Sequence, residues 1–157
     1  MDLVIVPDDP RVDDVRALLA THLAFSHEVS PAEHVHALDA DGLVDSSVTF
    51  FSARQEGVLV GVGALRQLDD ERGELKSMHT AAAARGQGIG RAMVGHLLAV
   101  ARERGYRWVG LETGTGAPFA PAHALYAATG FTTCPPFGAY TDNPDSTCMQ
   151  IELAPRA

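Results

Sequence analysis

Residues 74–112 constrain the chain more than any other stretch. Residues 74–80 read as a strand, 81–90 are small or glycine-rich, and 88–104 read as a long helix. Ile89, Met93, Leu97 and Val100 recur at steps of three and four, which sets them on one helical face. Arg102 and Arg104 suit the C-terminal end of that helix, and Gly105 is a natural stop. Residues 108–112 are the next strand. A strand, a helix and a strand in that order form a crossover, so the two strands should lie parallel.

The remaining elements read as antiparallel. Residues 3–6 are a short strand closed by Pro7. A helix over 11–25 takes its apolar face from Val12, Val15, Leu18, Leu19 and Leu23. Ser30, Pro31 and Glu33 have the spacing of a capping box and predict a second short helix. Residues 47–54 and 58–68 pair as a hairpin around Gln55, Glu56 and Gly57. After the crossover, a helix over 118–129 ends at Gly130, and strands follow at 131–134 and 147–153. The expectation is an α/β fold: a mixed, mostly antiparallel sheet with a central parallel βαβ crossover, flanked by helices. Its 157 residues suit a single domain over 1–157.

A net charge of −8 disfavours nucleic acid and anionic membranes, both of which select a basic face. No apolar run approaches the twenty residues of a membrane span, and Asp2, Asp8 and Asp9 stand where an export signal would be basic. Cys134 and Cys148 therefore read as thiols in a cytoplasmic protein. His34 and His36 fall two apart in a helical stretch and do not face each other, and no other histidine pair has ligand spacing, so no metal is expected. Residues 1–50 hold ten acids and two bases, so any bound anion belongs to the later part of the chain.

The anion site is expected at Arg85-Gly86-Gln87-Gly88-Ile89-Gly90-Arg91, between a strand and a helix. Unpaired N–H groups and the positive end of the helix dipole favour phosphate there, and glycines let it approach the backbone. A Walker A loop needs Lys and Ser or Thr after its glycine, and a dinucleotide fingerprint needs glycine where Arg91 stands. What fits is Arg/Gln-x-x-Gly-x-Gly/Ala, met by Arg85, Gly88 and Gly90. With Leu125-Tyr126-Ala127-Ala128-Thr129-Gly130-Phe131, the chain resembles the GCN5-related N-acetyltransferase (GNAT) family. Residues 74–78, Leu111-Glu112-Thr113-Gly114 and Pro136-Phe137 are similar to a bacterial branch acting on small molecules. One departure is Phe119, which stands where many relatives carry a cofactor-contacting Asn.

The resemblance implies an acetyl-CoA-dependent N-acetyltransferase, working on a small-molecule amine without a covalent enzyme intermediate. A homodimer is compatible with it. The alternative is a non-catalytic acyl-CoA-binding module on the same fold. Coenzyme A would lie along the fourth strand, contacting Met78, His79, Thr80 and Phe119, with its pyrophosphate on residues 85–91. Glu74, eleven residues before Arg85, is the implied base, and Glu112 is its rival. Tyr126 would protonate the leaving thiolate. Lys76, the sole lysine, shares a strand face with Glu74 and Met78 by alternation, and either holds a substrate carboxylate or pairs with Glu74. Phe25 and His27, between the first two helices, are the implied acceptor contacts.

Overall fold

The computed structural model describes residues 2–29 and 42–154, the side chains of 25–29 excepted. The short helix expected after Ser30 lies outside the described residues. Strands β1 (Leu3–Pro7), β2 (Val48–Gln55), β3 (Val58–Asp69), β4 (Arg72–Thr80), β5 (Trp108–Gly114), β6 (Thr132–Cys134) and β7 (Ser146–Glu152) form one sheet in the order β1-β2-β3-β4-β5-β7-β6. Helices α1 (Asp13–Val29), α2 (Ile89–Glu103) and α3 (Ala120–Thr129) cover it. Among the described strands β4 and β5 alone run parallel, and α2 makes the crossover between them.

The local reasons are legible. Gln55 pairs with Val58, so the β2–β3 loop is two residues. Glu56 (φ 51°) and Gly57 (φ 82°) both take the left-handed conformation that such a tight hairpin demands. Helix α2 buries Ile89, Met93, Val94, Leu97, Leu98 and Ala101 against one sheet face, with Leu65, Leu75, Val109 and Leu111 beneath them. Each Leu buried this way contributes about 1.5–3 kcal/mol. On the other face Val15 and Leu19 of α1 pack with Leu43, Phe50, Val62 and Ala64. Val12, expected on that apolar stripe, precedes the helix and is 43% exposed. Helix α3 starts two residues later than its sequence suggests, because Ala117–Phe119 form a 3-10 turn before it.

Candidate active site

The hydrogen bonds between β4 and β5 stop at Leu75↔Leu111, although β4 continues to Thr80 and β5 to Gly114. The two strands part there, leaving a gap in the middle of the sheet. A bulge in β4 lies at the mouth of the gap. Val62 faces His79 and Ala64 faces Lys76, so Gly63 stands opposite both Ser77 and Met78. Ser77 has φ 55°, a strained value for a residue with a side chain, and its buried hydroxyl has no partner among the described residues. Gly63 is required here, since a Cβ would fall 2.8 Å from the sulfur of Met78 and from Cγ of Met93.

The bulge corrects one expectation. Strict alternation placed Met78 beside Glu74 and Lys76, but the extra residue turns Met78 onto the α2 side, packed against the main core. Glu74 and Lys76 do share a face, the one covered by α1, and His79 joins them by pairing with Val62.

That face carries a buried polar cluster. Glu74 is 3% and Lys76 8% exposed, and Lys76 Nζ lies 3.3 Å from Glu74 Oε2. The Tyr140 hydroxyl donates to the same Oε2 and accepts from Lys76 Nζ at 2.9 Å. Burial, and then the negative charge of Glu74, hold the Tyr140 phenol well above its usual range, so it remains a donor. Glu112 stands nearby on β5, opposite Cys148 of β7. Burial raises its carboxyl to about 7, with Lys76 opposing and Glu74 adding to the rise. Tyr140 was not legible in the sequence. The turn-forming Pro135-Pro136-Phe137-Gly138 run before it was the one available signal that the chain doubles back over β5 and β7.

A second pair lies alongside. His22 Nδ1 of α1 is 3.1 Å from His79 Nδ1, with the rings edge to face. Burial pushes His22 down to about 4, with the His79 ring adding to the fall, and burial with Arg85 lowers His79. Both rings are therefore neutral at pH 7. The His79 side chain turns toward α1, and the contact expected of this residue with the cofactor is one of its main chain. Phe25 and His27 sit on the last turns of α1, and their side chains lie outside the described residues.

At the other end of the gap, Gly88 (φ 83°) caps α2 with no side-chain bond, and Gly86 has φ 77°. Space is open around both α-carbons. Arg85, Gln87 and Arg91 are exposed in the same segment, which also carries the first N–H groups of α2. Gly90 packs against Leu125 of α3, and a Cβ there would lie 3.0 Å from that side chain. Ile89 is buried below the loop, and Thr80 stands beside Gly90. The loop can thus take a diphosphate on its backbone, and the gap leads from it to the acidic face. Among the described residues no group of three or more metal-ligating side chains occurs.

Helix α3 flanks the gap. Tyr126 is 6% exposed, its ring edge-on to Phe131, and burial pushes its phenol far up. Phe119 lies over the end of β5, so close that a Cβ on Gly114 would fall 2.2 Å from its ring.

The model of the acetyltransferase (GNAT) family matches residues 14–131 of this chain. The chain belongs to the GNAT acetyltransferases. Over 149 residues it is 41% identical to the uncharacterized N-acetyltransferase YedL of Escherichia coli, covering 95% of this chain and 94% of that one. It is 39% identical over 146 residues to the uncharacterized N-acetyltransferase YsnE of Bacillus subtilis, covering 93% and 97%. A GNAT acetyltransferase of Elizabethkingia anophelis, solved with acetyl-CoA bound, superposes with a TM-score of 0.71 at 19% identity, covering 96% and 98%. This GNAT chain is thus an acetyltransferase enzyme, with acetyl-CoA the donor its family uses. No helix among its described residues is long and apolar enough to cross a membrane.

Proposed function

We propose that the protein, acting as one domain over residues 1–157, moves an acetyl group from acetyl-CoA to the primary amine of a small molecule. Transfer is direct, within a ternary complex. The single observation that carries this reading is the parting of β4 and β5, with the open glycine loop at one end and a buried carboxylate cluster on the adjoining face.

Bound acetyl-CoA supplies an activated thioester. Backbone N–H groups at 86–91 and the Arg85 and Arg91 guanidiniums hold its diphosphate. Main-chain groups of residues 78–80 pair with its pantetheine arm, and an N–H at the bulge stabilises negative charge on the carbonyl oxygen. Ile89 and Phe119 wall the cofactor. Glu74 takes the proton of the attacking amine, with Glu112 beside it drawing the ammonium form into the site. The new C–N bond forms as the C–S bond breaks, and Tyr126 gives its proton to the sulfur. Cys134 and Cys148 take no part: burial raises both thiols, Cys148 to about 11.

The test is calorimetry with acetyl-CoA, followed by thiol release over a panel of amines. Binding with amine-dependent release is expected. Binding without release on any amine would leave an acyl-CoA-binding module, and no binding would reject the donor site itself.

A further inference from the structure

Among the described residues two donors reach Glu74, and both use the same oxygen. Lys76 Nζ lies 3.3 Å from Oε2, and the Tyr140 hydroxyl donates to Oε2 as well. Lys76 also donates to Tyr140 at 2.9 Å, which closes a three-membered ring of polar contacts. Oε1 accepts nothing among the described residues, and the Glu74 side chain keeps 4% of its surface exposed. The carboxylate therefore has one oxygen held and one presented. Tyr140 itself is held by a stack of aromatic rings. Its ring meets Phe137 at 5.2 Å, and Phe137 meets Trp108 at 5.0 Å. Trp108 is fixed in turn by a 2.8 Å bond from its Nε1 to Gln150.

We propose that Tyr140 is a positioning residue for acetyl transfer: with Lys76 it clamps Oε2 of Glu74 and so presents Oε1 to the amine. This rests on Glu74 being the base, as set out above. A carboxylate that is free to rotate loses most of the advantage of proximity, whereas one held at a fixed angle keeps it. As the C–N bond forms, the amine proton passes to Oε1, and Oε2 keeps both donors throughout. The charged and titratable groups around this carboxylate are Lys76 on the same strand, the cross-strand Arg66 on β3, Glu112 on β5, Cys148 on β7 and Tyr140 on the loop. Tyr140 is the only one of these that reaches it from an irregular segment, a placement that lets the acceptor side be tuned without altering the sheet.

Tyr140→Phe keeps the aromatic stack and removes one donor from the ionised carboxylate. With acetyl-CoA and the panel amine that the wild type turns over fastest, the acid limb of kcat/KM is expected to move up by about one pH unit. KM for acetyl-CoA should stay unchanged. A uniform loss of activity with the limb unmoved would make Tyr140 a packing residue and overturn the proposal. No turnover by the wild type on any amine would instead overturn the functional reading on which it rests. A second measurement needs no activity. With ring-labelled tyrosine, the Cζ resonance of Tyr140 at neutral pH should shift in Glu74→Ala relative to the wild type, and an unchanged resonance would contradict the clamp.

Discussion

Glu112 and Tyr126 show how burial sets the chemistry of single residues. Glu112 has a folded value raised to about 7 from an ordinary 4.5. The folded protein therefore binds more protons than the unfolded chain between those values, and stability contributed by this site falls as pH rises through them. Glu112→Gln removes the titration. It should stabilise the protein by about 1–2 kcal/mol at pH 8, after allowance for partial exposure, and by little at pH 4. Urea unfolding at both pH values checks this, and a gain that is equal at the two would contradict it. Tyr126 is kept protonated by the same burial, which suits a proton donor. Tyr126→Phe should lower kcat and kcat/KM together by about 100-fold, with acetyl-CoA affinity unchanged. A loss of only several-fold would leave Tyr126 as a packing residue against Phe131.

The elements were legible where a period could be read. The crossover is visible because the pattern changes from alternation in β4 to steps of three and four in α2. Glu74 and Lys76 fall on one face for the same reason. The bulge was not legible, because it is built on Ser77 at positive φ with no glycine to mark it. Met78 consequently faces α2 rather than the acid cluster. Tyr140 was hidden for a different reason. It meets Glu74 across 66 residues of sequence from a stretch with no periodicity, and only the folded sheet brings them together. The glycine loop is the element with the plainest prediction. Arg85→Ala with Arg91→Ala should weaken acetyl-CoA binding by at least about 10-fold per arginine, since charge-assisted bonds to phosphate contribute roughly 1.5–3 kcal/mol each. Turnover at saturating acetyl-CoA should change less. Unchanged affinity in calorimetry would place the diphosphate elsewhere.

At the scale of the molecule, the sheet divides the work. One face is filled by α2 and holds the larger apolar core, which fixes β4 and β5 up to the point where they part. The other face is shared by α1 and the 135–145 loop and carries Glu74, Lys76, His79 and Glu112. The gap joins the two, and in the proposed reaction a donor entering from the glycine loop meets there an acceptor entering over the acidic face. In that proposed reaction the acetyl group passes directly between them. The most direct test is mass spectrometry with isotopically labelled acetyl-CoA, run with and without an amine. The label should appear on the amine, and the intact protein should keep its unmodified mass in both reactions. An acetylated protein in the absence of amine, which passes its label on when amine is added, would contradict direct transfer.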